Sequence, residues 1–166
     1  MLVLGIDPGT ATTGYGVVKA NKNSVNEVIE FGLIETDKDT TPGARLVDIV
    51  GKMDKVIKRF SPDVVAIEKL FFATNAKTAI RVGQAQGVML YAFAKRNVKV
   101  FEYAPGTIKK IISGDGRADK KDVQKAVRKY LGAKVRSKVN KKTHFDNAAD
   151  ALAIALCHII SMKGGE

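Results

Sequence analysis

Five side chains offer oxygen where oxygen needs a partner: Asp7, Glu68, Asp146, Asn147 and Asp150. Asp7 closes the apolar run Leu2-Val3-Leu4-Gly5-Ile6, and Glu68 closes Val64-Val65-Ala66-Ile67. Each run reads as a buried strand, and an acid at the end of a core strand loses hydration unless something binds it. Asp-Pro also starts turns, so Asp7 alone carries no chemistry. Two core strands that both finish in an acid point to a shared site. Asp146 and Asp150 are spaced i, i+4 in an apolar helical pattern, and Asn147 and Asp150 i, i+3, so either pair shares a helix face. Clustered carboxylates repel unless a cation holds them, and all-oxygen ligands select Mg²⁺ or Mn²⁺ over zinc. Two such ions about 3.5–4 Å apart would activate a water and stabilise the leaving oxygen of a phosphodiester.

The charge of the chain fits that substrate. Its 166 residues carry 28 Lys and Arg against 17 Asp and Glu, a net charge of +11. The excess is concentrated. Between Lys95 and Lys142 stand 16 basic residues and four acids, a net charge of +12. A dense positive field attracts phosphate, so the expected partner is a polyanion. Acids that hold metal beside lysines that attract phosphate are what a nuclease needs.

Elements must bring the five oxygens together. Tyr15, Val17 and Val18 restart a strand after the turn that follows Asp7, so the chain folds back as a hairpin. Residues 25–36 form a third antiparallel strand, with 21–24 as the turn. Pro42 opens a helix to Phe60 whose Leu46, Ile49, Val50, Met53, Ile57 and Phe60 recur at helical spacing. After strand 64–67 a helix runs from about Asn75 to Arg96, with Ala79, Gly83 and Gly87 four apart in a bare stripe. That spacing suits packing within the domain and a subunit interface equally. A strand at 98–103 and a short helix from Pro105 to Ser113 follow. Asp119 caps a helix to about Leu131, residues 132–143 form a basic loop, and a last helix spans about Phe145 to Met162.

Strands one to three form a meander, while strands four and five, reached through helices, run parallel to strand one. The expected fold is one α/β domain over residues 1–166, a five-stranded mixed sheet with helices on both faces. The C-terminal ends of parallel neighbours then lie together and place Asp7 beside Glu68. If the last helix crosses the sheet near strand one, the remaining oxygens join them.

The motifs I-D-P-G-T-x-x-x-G-Y-G, A-I-E-K-L-F-F, N-x-x-T-A-x-x-x-G-Q-A-Q-G, G-D-G-R-A-D-K-K-D-V-Q and A-A-D-A-L-A-I-A stand in this order. Each is weak alone; together they make the chain resemble the RuvC-type Holliday-junction resolvases of the ribonuclease H-like superfamily. The resemblance spans essentially the whole chain. It implies catalytic positions at Asp7, Glu68, Asn147 and Asp150, a junction-distorting aromatic at Phe71, and DNA-contacting lysines at Lys109 and Lys120. Arg117 and Lys121, in the same basic motif, are further DNA-binding candidates. Homodimers with two metal ions per site, pairing through the helix after Glu68 and nicking opposed strands, are implied as well, and that favours an interface at Ala79, Gly83 and Gly87. A branch-migration motor is the implied partner of the branched DNA complex.

One position departs from the family, which has Asp or His where this chain has Asn147. An amide oxygen ligates metal without charge, so either the ligand is naturally weak and metal affinity falls, or neighbouring Asp146 substitutes, or Asn147 is an inactivating substitution. His144 is a candidate phosphate contact. Two other function classes compete with this reading. An actin-like ATPase lobe shares D-x-G-T, but such proteins need two lobes. A catalytically silent DNA-binding module is suggested by Asn147. No apolar run is long enough to span a bilayer and Gly5, Asp7 and Pro8 interrupt the apolar start, so a cytoplasmic location is expected. The single Cys157 reads as a small core residue.

Overall fold

The computed structural model describes residues 1–21, 26–70, 76–132 and 142–163, with 142–147 as helical backbone only. Five strands, β1 (Leu2–Asp7), β2 (Thr12–Lys19), β3 (Glu27–Glu35), β4 (Val64–Glu68) and β5 (Lys99–Tyr103), form one sheet in the order β3-β2-β1-β4-β5. β1 pairs antiparallel with β2 and parallel with β4, β2 antiparallel with β3, and β4 parallel with β5. The C-terminal ends of β1, β3, β4 and β5 therefore all emerge at one edge.

Strand parity sorts the side chains between two cores. Leu4, Ile6, Val65 and Ile67 face α1 (Pro42–Phe60) and α2 (Ala76–Lys95), against Ile49, Met53, Met89 and Phe93. Val3, Val18 and Ala66 face α5 (Lys142–Lys163), which α3 (Pro105–Ser113) and α4 (Lys120–Leu131) cover from outside. Helices thus lie on both faces, as expected. Ala148, Ala149 and residues 151–159 are 1% exposed or less, so the middle of α5 is buried on all sides. A helix so rich in alanine can be enclosed this way because its small side chains let sheet and helices approach.

Gly5 is where that approach is closest. A Cβ there would overlap the Ala151 carbonyl oxygen and come within 2.9 Å of the Ala155 Cβ. Gly5→Ala should therefore lift α5 from the sheet and cost about 1–3 kcal/mol, as overpacked cores do. In a chain of this size that lowers Tm by roughly 2–4 °C per kcal/mol. Gly51 on α1 has open space around it, so Gly51→Ala should leave Tm unchanged or higher. Equal melting temperatures for Gly5→Ala and wild type would refute the close packing.

Local chemistry sets the helix ends. The Thr41 hydroxyl accepts from the Ala44 N–H and caps α1, and the Asp119 carboxylate accepts from the Asp122 N–H and caps α4. Gly114, at φ 87°, ends α3 in the left-handed region that glycine adopts without strain. Some boundaries differ from the sequence reading. Val98 joins the turn that closes α2, its N–H bonded to the Phe93 carbonyl, because Asn97 takes a positive φ; β5 starts one residue later. Lys142 and Thr143, expected in a loop, begin α5. The rest of that loop (133–141) and the turn at 22–25 lie outside the described residues.

Candidate active site

β1 and β4 run side by side with Ile6 opposite Ile67, so Asp7 and Glu68 follow as neighbours at the strand ends. Asp7 has the parity of Val3 and Gly5, and Glu68 that of Ala66, so both project toward α5. Asp150 stands on α5, one turn before the Ala153 that lines the same cleft. This cleft, about 240 Å³, is lined by Glu68, Asp150, Lys109 and Lys120. A larger hollow of about 780 Å³ lies between α3 and α4, but Lys129 faces two acids there, Asp115 and Asp122, whereas the smaller cleft sets Lys109 and Lys120 against its Glu68 and Asp150. Charge rather than volume marks the site.

The three acids act on one another. Burial, followed by the charges of Asp150 and Glu68, pushes the Asp7 carboxyl up to about 7, against a smaller opposing pull from Lys120. Burial and Asp150 also raise Glu68, opposed by Lys109. The Lys120 ammonium donates to Asp150 Oδ2 at 2.9 Å. Among the described residues no three His, Cys, Asp or Glu side chains are set closely enough to hold a metal ion by themselves. The acids share a field rather than a formed coordination shell, and Lys120 supplies the counter-charge at Asp150. Half-buried carboxylates whose charges disfavour ionisation at Asp7 and Glu68 nevertheless fit a hard divalent cation, which would relieve that repulsion.

Hydrogen bonds fix the strand ends. The Thr13 hydroxyl, fully buried, donates to the Gly9 carbonyl at 2.8 Å and accepts from the Gly9 N–H at 3.4 Å, closing the turn after Asp7. A Cβ on Gly9 would overlap the Thr12 carbonyl, so that turn requires glycine. Beyond Glu68, the Lys69 N–H donates to the Tyr103 carbonyl at 2.8 Å and extends the β4–β5 ladder. Gln86 of α2, 5% exposed, donates to the Glu68 carbonyl at 3.4 Å and to Glu102 Oε1 at 3.3 Å. Sequence reading missed Gln86, although a polar residue on an inner helix face in G-Q-A-Q-G could have marked it. It also missed the Lys120–Asp150 pair, which joins residues 30 apart.

Other expected site residues fall as follows. Arg117 and Lys121 are exposed, near the start of α4, and do not line the cleft. On α2, Ala79 and Gly83 are half-buried and Gly87 is exposed; Gly83 faces Leu70, whose Cδ1 would lie 3.6 Å from an added Cβ. Ile80 and Tyr91 on the same helix are 63% and 61% exposed, an apolar surface of the kind a subunit interface covers. Phe71 lies outside the described residues, as do the side chains of His144, Asp146 and Asn147 on the first turns of α5.

The strand order, with helices on both faces and acids at the shared edge, is the ribonuclease H-like architecture. The family model described as Crossover junction endodeoxyribonuclease RuvC matches residues 3–158, and the chain belongs to that family. A relative of that name from Caldicellulosiruptor saccharolyticus is 45% identical over 161 residues, 97% of this chain and 93% of that one. Another from Thermotoga petrophila is 45% identical over 163 residues, 98% and 94% of the two chains. The solved structure of T. thermophilus RuvC in complex with a Holliday junction substrate is 33% identical, with a TM-score of 0.87 over 99% of this chain and 96% of that one.

Proposed function

We propose that this chain is a divalent-metal-dependent endodeoxyribonuclease that resolves four-way (Holliday) DNA junctions by paired symmetric nicks in recombination and repair. The observation that carries this reading is the shared field of Asp7, Glu68 and Asp150 at the sheet edge, with Glu68 and Asp150 lining a cleft walled by Lys109 and Lys120. Asp7, Glu68 and Asp150, with Asn147 or Asp146, would hold two Mg²⁺ ions, for which Mn²⁺ can substitute. The ions, when bound, supply an activated water and a sink for charge on the leaving oxygen. Lys109 and Lys120 attract and orient the phosphate, and His144 adds a contact there. Phe71 stacks on a base unpaired at the crossover, and Arg117 and Lys121 hold the flanking backbone. Two copies pair through α2 at Ala79, Gly83 and Gly87, which presents two sites to the two opposed strands. The setting is cytoplasmic, with a branch-migration motor as partner; among the described residues no helix is long and apolar enough to cross a membrane.

Incubation of a four-way junction with the protein and Mg²⁺, resolved on a denaturing gel, should give paired nicks at opposed positions. Binding without nicking would favour the silent junction-binding module that Asn147 suggests. If Asn147 is a weak ligand, Asn147→Asp should raise cleavage at low Mg²⁺ and change junction affinity little. If Asp146 serves instead, Asp146→Asn is the more damaging change. Unaltered cleavage in both variants would mean that neither position holds metal.

A further inference from the structure

A second cavity lies at the active-site edge of the sheet, on the opposite face from Lys109 and Lys120. It measures about 220 Å³ and lies between the turn after β1 and the α1–α2 layer, with Thr10, Lys38, Thr40, Arg45, Arg81 and Gln84 in its wall. Three of these six side chains are cations and none is an acid. Among the described residues, no ion pair engages Lys38, Arg45 or Arg81. Two loop acids, Asp37 and Asp39, flank Lys38 in the chain without lining the cavity, and Asp37 Oδ1 accepts from the Asp39 N–H. The Arg45 guanidinium donates to Thr36 Oγ1 at 3.1 Å and to the Thr10 carbonyl at 3.2 Å, which pins it in the wall. α1 starts here with no acid in its first turn, so its positive end adds to the field.

From these observations we infer that the cavity is a subsite for a backbone phosphate of the bound DNA, held by Lys38, Arg45 and Arg81. The inference rests on the junction-resolving reading and adds a contact to it. Like charges gathered around one hollow repel one another unless an anion shares it. The space holds a phosphate with hydration, a water taking about 30 Å³. Thr10 follows Asp7 by three residues, so the Thr10 wall of the cavity starts at most about 11 Å along the backbone from Asp7. A DNA strand carries one phosphate per roughly 3.4 Å of axis, so a phosphate at the Thr10 wall belongs to a nucleotide close to the one at Asp7, about three away. The acids are then flanked by cations on both faces of the sheet, and a strand crossing the edge is gripped on either side of the cut.

The test is salt-dependent binding of the full-length protein to an immobile four-way junction, with Ca²⁺ in place of Mg²⁺ to prevent cutting. Arg45 also braces the turn, so the variant is Lys38→Ala with Arg81→Ala. The plot of log affinity against log salt should become shallower by about one, close to 0.9 for the single phosphate no longer neutralised. Lys19→Ala with Lys55→Ala, an equal loss of charge at exposed positions outside both the cavity and the basic stretch, should leave the slope unchanged, and Lys38→Arg with Arg81→Lys should restore it. A neutral methylphosphonate within three nucleotides of the cleaved position should weaken the wild type and leave the double variant unaffected. If the double variant keeps the wild-type slope, or loses no more than the distal control, the subsite is wrong. A wild-type chain that does not bind the junction would overturn the functional reading and the subsite together.

Discussion

Asp7→Asn abolishes junction cleavage and, in the same protein freed of metal, raises stability at neutral pH. The activity loss should exceed about 100-fold, since even outer-shell partners of metal ligands cost 10–100-fold when removed. The stability gain follows from the Asp7 carboxyl standing at about 7 when folded, raised first by burial and then by Asp150 and Glu68. In the unfolded chain it stands near 3.9. Between these values the folded state binds more protons than the unfolded one, so stability falls as pH rises from about 4 to about 7. Above that window the folded protein carries the whole penalty. At 1.36 kcal/mol per unit the upper limit is about 4 kcal/mol, and roughly 2–4 kcal/mol is expected for Asn in its place. Burial lowers the pKa of His158, which acts in the opposite direction, its contribution being lost as pH falls through about 6.5. The difference between variant and wild type isolates Asp7. Thermal melts from pH 5 to pH 8 should therefore show a gain that grows with pH. Mg²⁺ should stabilise the wild type by mass action and the variant much less. A gain independent of pH would show that Asp7 is not the strained carboxylate.

The pairing of Asp7 with Glu68 was legible because it depends on a pattern the sequence displays: two apolar runs, each closed by an acid, joined by a helix. Parallel pairing then leaves few choices for where the ends lie. Helix starts were legible for the same kind of reason, since Pro42, Pro105 and Asp119 act on their own backbone. What the sequence did not display depends on distance in space. Lys120 reaches Asp150 only because α4 packs on α5, and no local pattern records that crossing. Lys38, Arg45 and Arg81 are scattered over three elements outside the concentrated basic stretch, so a count of basic residues along the chain passes over them. The full burial of the middle of α5 was hidden in the same way. Its alanines suit an outer face as well as an inner one, and only the cover from α3 and α4 decides between them.

Lys120→Ala should weaken junction binding while strengthening metal binding in the absence of DNA, two effects of opposite sign from one substitution. The first follows if the ammonium contacts phosphate: the salt slope should fall by about one and affinity should drop on every branched substrate alike. The second follows from the 2.9 Å pair with Asp150, because a divalent cation must compete with that ammonium for the same carboxylate. Lys120 also opposes the rise of the Asp7 carboxyl, so without it Asp7 should hold its proton to higher pH and the metal dependence should steepen toward neutral pH. The two measurements are Mn²⁺ titration of the DNA-free protein by calorimetry and junction affinity across salt with Ca²⁺ present. An ordinary solvated lysine would change neither, and a lysine that only held α4 against α5 would lower Tm without touching the salt slope. Weaker metal binding in Lys120→Ala than in wild type would show that Lys120 assembles the acid cluster instead of competing for it.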